Sequence, residues 1–184
     1  MRITLRNLEN IFLYKIFFAA ILILSMSNNV SAKNLVYENN WAYLADTVMG
    51  GVSRGGAEFS AGALRLTGQV STKNNGGFIQ VRTRIDPTET VGKSGIKIKV
   101  KGNGDVYYLH VRNASARLPW QYYTASFQTS EKWENITISF DEFEKSATLM
   151  PRKLKPGSIK TIGLVAYGKD HEADVSIANL EFYK

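Results

Sequence analysis

The sequence predicts an all-β protein, a β-sandwich of jelly-roll topology, and three observations lead there. Short runs of alternating or apolar residues recur along the chain, separated by Gly, Asn, Asp or Pro. The spacing between runs is that of hairpins, not of strand–helix–strand units. Only one short stretch beyond the N-terminal leader, 141–145, reads as helix, with Asp141 as its cap.

The leader comes first. Arg2, Arg6 and Lys15 are followed by an apolar run from Ile16 to Met26, broken only by Ser25, and then by Val30-Ser31-Ala32. A basic start, a short apolar core and small residues in that order predict a secretory signal peptide over residues 1–32. The apolar run is much shorter than the roughly 20 residues of a membrane-spanning helix. No later stretch is apolar enough to span, so no stable membrane span is expected after cleavage, although retention as an anchor is the alternative. Residues 33–184 then form a single domain, long enough to bury a core. A periplasmic or secreted location follows.

The strands are expected in order. An early one covers about 35–43. The run 63–70 alternates, and 77–86 alternates until Pro87 stops it. In 95–101, Ile96, Ile98 and Val100 take one face and Lys97, Lys99 and Lys101 the other. Gly102-Asn103-Gly104-Asp105 is a hairpin turn leading into 106–112. Runs at 121–129, 133–140, 159–167 and 173–183 complete eight or nine strands. The segment 145–158, with Pro151 and Pro156, reads as a long loop.

Two glycine corners interrupt this pattern. Asp46-Thr47-Val48-Met49-Gly50-Gly51-Val52-Ser53 is echoed by Asn74-Asn75-Gly76-Gly77-Phe78. Glycine pairs beside polar side chains make tight turns and admit close approach of a backbone or ligand. The expectation is that both corners meet at one end of the sandwich, beside arginines. A binding pole of Asp46, Met49, Gly50, Gly51, Ser53, Asn75, Gly76, Gly77, Arg82 and Arg112 follows. The structural alternative makes Asp46 and an arginine a buried pair locking the turns together.

Period-two alternation also predicts a decorated sheet face. Phe78, Gln80, Arg82 and Arg84 share one side of their strand, opposite Ile79, Val81 and Ile85. Tyr108, His110 and Arg112 oppose Tyr107, Leu109 and Val111. Tyr122, Thr124, Ser126 and Gln128 oppose Tyr123, Ala125 and Phe127. Tyr, His and Arg side by side suit a polypeptide, a sugar or a carboxylate, so Tyr108, His110 and Tyr122 join the candidates. Trp120, in a loop-like setting after Pro119, is added as a contact residue; Trp133 is assigned to packing.

Composition narrows the chemistry. The chain has no cysteine, which removes disulfides, thiolate metal sites and a cysteine nucleophile. The net charge of +7 is spread rather than blocked, and without a nucleic-acid motif no nucleic-acid partner is expected. His110 and His171, the two histidines, lack metal-ligand spacing. No nucleophile elbow, phosphate loop or dinucleotide fingerprint occurs. The chain therefore reads as a non-enzyme without a cofactor, although Asp46 and Asp105 could act as a carboxylate pair and a turn carboxylate could hold a structural calcium.

The residues also carry a family resemblance. Trp41-x-x-x-x-Asp46-x-x-Met49-Gly50-Gly51-x-Ser53 resembles the opening of the complex I intermediate-associated protein 30 domain. Asn74-Asn75-Gly76-Gly77-Phe78-x-x-x-Arg82 resembles its second motif. Gly102-Asn103-Gly104-Asp105 with Tyr107 and Arg112, and Ile162-Gly163-Leu164, fall where that domain has similar runs. The resemblance implies a galactose-binding-like β-sandwich and an assembly-factor role, chaperone-like toward an envelope or respiratory complex, with a protein partner. The alternative is a carbohydrate-binding module.

Overall fold

Alternation is what builds this sandwich. The structure, a computed structural model, describes residues 33–38 and 40–184. The expected signal peptide, residues 1–32, lies outside the described residues. Among the described residues, eleven strands form two antiparallel sheets. The first sheet orders β1 (Ala42–Ala45), β4 (Phe78–Arg84), β10 (Ile159–Tyr167), β6 (Val106–Asn113), β7 (Tyr123–Gln128) and β9 (Glu144–Lys145). The second orders β2 (Arg54–Ser60), β3 (Ala63–Val70), β11 (His171–Tyr183), β5 (Gly95–Gly102) and β8 (Glu134–Ser139). The jelly-roll sandwich expected from the sequence is the fold observed.

The predicted inner faces meet between the sheets. Ile79, Val81, Tyr107, Leu109, Val111 and Tyr123 come from the first sheet, all fully buried. Leu66, Ile96, Ile98, Val100, Val175 and Ile177 come from the second and are equally buried. Each such side chain contributes about 1.5–3 kcal/mol on leaving water. The Tyr107 hydroxyl avoids an unmet polar group by donating to Asn103 Oδ1 at 2.8 Å and accepting from Asp174 N–H at 2.8 Å.

Three local expectations are corrected. The segment near 35 is not strand: Leu35–Glu38 forms a single helical turn, α1. Asn34 organises it by accepting from Val36 N–H (3.1 Å) and Leu180 N–H (3.2 Å) and donating to the Ala178 carbonyl (2.9 Å). Leu35 and Val36 thereby plug the core, and strand begins only at Ala42. The helix expected over 141–145 is instead a 3-10 turn, Phe140–Glu142, followed by the short β9. Its cap is Ser139, which pairs with Glu142 in a capping box; Asp141 N–H donates to the Ser139 hydroxyl. Trp133, expected in packing, is 39% exposed on the outer side of the second sheet.

Besides the short β9, the strand β2 went unforeseen. β2 contains Gly55 and Gly56, which argue against strand. Gly55 is needed there because β2 presses against β3: a Cβ at Gly55 would stand 3.0 Å from Gly68 Cα and nearer still to the Thr67 carbonyl oxygen. Among the described residues no helix is long and apolar enough to cross a membrane.

Candidate functional site

The two glycine corners do meet, and Asp46 is the reason. The first corner carries the chain from β1 in one sheet to β2 in the other. The second carries it from β3 back to β4. Asp46 is wholly buried between them. Its Oδ1 accepts from Ser53 N–H at 2.9 Å. Its Oδ2 accepts from the Ser53 hydroxyl (2.5 Å), Gly77 N–H (2.6 Å) and Phe78 N–H (3.3 Å). The Ser53 oxygen in turn accepts from Ser71 N–H at 2.9 Å. Burial alone raises the Asp46 pKa, but the donors from Gly77, Ser53 and Phe78 outweigh it and hold the carboxyl below its ordinary value.

The glycines fit around this carboxylate. A Cβ on Gly51 would lie 2.7 Å from Asp46 Cβ and overlap its Cγ and Oδ1. A Cβ on Gly76 would lie 2.8 Å from Asp46 Cγ and 3.0 Å from Gly51 Cα. Gly77, at φ +122°, adopts backbone that side-chain-bearing residues avoid. The structural alternative for this region needs one correction. Asp46 is locked by backbone amides and a serine; none of the ion pairs among the described residues involves it. Asn75 sits at φ +57°, while Met49 is 62% exposed beside Val48 and Gly50 at the outer rim of the corner.

The arginines stand elsewhere. Arg82 is four residues beyond Phe78 on β4, about 13 Å along the strand at ~3.3 Å per residue. The sheet register then defines a second cluster. Arg82, Gly163, His110 and Thr124 lie in one row across β4, β10, β6 and β7. Gln80, Val165, Tyr108 and Ser126 form the next row, and Arg84, Thr161 and Arg112 the row on the other side. Tyr108, His110, Arg82, Arg112 and, at the start of β7, Tyr122 thus share one face, with Trp120 at its rim. The candidates fall into two groups, a corner and a face.

The face is held by ring contacts. His110 stacks on Tyr122, with centroids 4.0 Å apart and planes 15° off parallel. Tyr167 meets His110 edge-on at 5.6 Å and Tyr108 at 5.0 Å. Val165 is buried beneath them although it sits on the outer side of its strand. Arg112 donates to the carbonyls of Leu118 (3.0 Å) and Ala116 (3.3 Å), fixing the β6–β7 loop. Gln121 Oε1 accepts from Arg117 and Leu118 N–H at 2.8 and 3.0 Å in the same loop. Burial first, and then the charge of Arg82, lower the Arg112 pKa. Two guanidinium groups thus feel one another on this face.

Trp120 caps that loop with 62% of its surface exposed; Leu118 is 43% exposed. The Ser146 hydroxyl donates to the Trp120 carbonyl at 2.8 Å, which brings the loop around Leu149, 93% exposed, to the same rim. Sequence reasoning passed over Tyr167 and Leu149. Tyr167 ends a strand in which Ile162 through Ala166 are all buried, so alternation carries no signal there.

Burial pushes the His110 imidazole down to about 4, and its Nε2 has no hydrogen-bond partner. The folded state therefore prefers the neutral ring, while the unfolded chain takes up a proton near 6.5. This contribution to stability is complete above pH ~6.5 and is lost as the pH falls from there toward 4. Thermal melts across that window are expected to show the wild type losing stability relative to His110→Phe; parallel curves would mean the ring titrates as if in solvent.

Asp105, the other member of the expected carboxylate pair, bonds instead to Lys169 Nζ at 2.8 Å and lies 4.0 Å from His171 Nε2. Among the described residues no group of three or more His, Cys, Asp or Glu could hold a metal ion.

The profile of the family described as Complex I intermediate-associated protein 30 (CIA30) matches residues 30–177. No curated protein matches the chain. Among solved structures, the fold is similar to that of the family 11 carbohydrate-binding module from Clostridium thermocellum in complex with a β-1,3-1,4-mixed-linked tetrasaccharide. The TM-score is 0.66 at 14% identity, covering 80% of this chain and 92% of that one. The same module of the cellulase Lic26A-Cel5E gives 0.67 at 14% identity, covering 85% and 96%. A family 30 carbohydrate-binding module gives 0.53 at 10% identity, covering 81% and 87%. At such identities the likeness is one of fold.

Proposed function

This chain belongs to the complex I intermediate-associated protein 30 family, and from that membership we propose that it is an exported, non-catalytic binding protein of the assembly-factor type. It works in the periplasm or outside the cell after loss of residues 1–32, and it grips a polypeptide of an envelope or respiratory complex. One observation carries this reading: Trp120 and Leu118 stand open beside Tyr122 and Arg112, with the exposed Leu149 on the segment that Ser146 ties to Trp120. Tryptophan, tyrosine and arginine grouped around exposed apolar side chains are the composition of a protein-binding hot spot. The mutual repulsion of Arg82 and Arg112 favours a partner segment that brings a carboxylate. In this reading the Asp46 corner supplies rigidity and the face supplies contacts.

The expected result is specific. Trp120→Ala lowers partner affinity at least tenfold, about 1.4 kcal/mol, and leaves the melting temperature unchanged, because the ring is mostly in solvent. A photo-crosslinker at position 149 yields a polypeptide adduct in envelope extract from the wild type and none from Trp120→Ala. Equal crosslinking by both proteins would remove the rim from the interface.

A second reading, a carbohydrate-binding module, is favoured by the ring row of Tyr108, His110, Tyr122 and Tyr167 and by the fold shared with such modules. Sugar binding that disappears in Arg112→Ala would favour it over the polypeptide.

A further inference from the structure

A cleft of about 620 Å³ opens on the second sheet, away from the face described above. Its lining includes the small residues Ala63, Gly102 and Ser176. Opposite strands supply the charged part. Arg65 binds Asp174 through two bonds of 2.9 and 2.8 Å and lies 3.9 Å from Glu58. Trp133, Glu131 and Lys101 also line the cleft. The Lys101 and Lys99 ammonium groups stand over the Trp133 ring, 5.3 and 6.0 Å from its centroid. Trp133 is 39% exposed.

We infer that this cleft binds an uncharged oligosaccharide, which stacks on the part of the Trp133 ring that Lys99 and Lys101 do not cover. The lining selects among ligands. An apolar molecule would strip water from five charged side chains without replacing it. A polyanion would meet Glu58 and Glu131, and a cation would meet Lys101 beside the Arg65–Asp174 pair, whose charges already cancel. A sugar ring offers what remains: an apolar face for the indole, and hydroxyls that donate to Glu58 and Glu131 and accept from Lys101. The volume is that of a small-molecule site. The inference uses a surface separate from the Trp120 rim, so a protein partner there and a glycan here are compatible.

The test is an array of uncharged and uronate-containing oligosaccharides probed with the protein, followed by titration calorimetry on the glycan bound best. Trp133→Ala is expected to weaken binding at least tenfold, about 1.4 kcal/mol, with Trp133→Phe recovering part of it. Glu131→Gln weakens binding several-fold. Trp120→Ala and Arg112→Ala leave it unchanged, which separates this site from the other face. Affinity changes little when the salt is raised to roughly 0.5 M, because no net ion pairing is involved. Melting curves confirm that each variant is folded. The inference is overturned by an array with no Trp133-dependent signal, by preference for uronate-containing glycans, or by binding that falls with Trp120→Ala.

Discussion

Replacing Asp46 by alanine is expected to lower the melting temperature by roughly 10 °C, from a loss of about 3–5 kcal/mol. The carboxylate accepts four hydrogen bonds, and its removal strands the N–H groups of Ser53 and Gly77 in a buried site. Each buried donor left unmet costs about 1–3 kcal/mol. Asp46→Asn restores little, since its amide nitrogen would confront N–H donors. The folded carboxyl has a lowered pKa, so its contribution is complete above the ordinary value of about 3.9 and disappears as the pH falls through the lowered one. The gap between wild type and Asp46→Ala should therefore narrow in strong acid, by the part that the carboxylate's charge contributes. Melts at neutral pH and below pH ~3 check both parts, and a gap independent of pH would mean that the carboxylate is not the group responsible.

Gly76→Ala is expected to be nearly as damaging, for a steric reason. The added methyl would stand 2.8 Å from Asp46 Cγ and 3.0 Å from Gly51 Cα, and overpacking of this kind costs about 1–3 kcal/mol or more. A double-mutant cycle reads the cause. Once Asp46 is alanine, the main obstacle is gone, so Gly76→Ala should cost less there than in the wild type, with a coupling of at least ~0.5 kcal/mol. Strict additivity would show that the glycine is required for its backbone conformation and not for the room it leaves.

Much of this architecture is legible in the sequence where one side of a strand faces water. Lys97, Lys99 and Lys101 alternate with Ile96, Ile98 and Val100, and the structure puts the first set outside and the second in the core. Legibility fails where that contrast is missing. β2 reads as turn because its glycines answer to close contact with β3, a tertiary demand with no local signature. The turn at Leu35 depends on Asn34 bonding to residues near the opposite end of the chain. For the candidate site, the meeting of the glycine corners was readable from their kinship. The separation of the arginines from them was not, because it depends on distance along β4. Trp120 stood out by its loop context, whereas Leu149 entered the same rim only through a hydroxyl contact from Ser146.

The Asp46 lock has a consequence for solubility. β1 and β2 are the outermost strands of their two sheets, at the side where the corners cross. The carboxylate fastens the chain that joins them. Release of that fastening would free both borders together and leave two rows of amides and carbonyls open to pairing with a neighbouring molecule. Loss of this one buried acid is therefore expected to raise the tendency toward edge-to-edge aggregation.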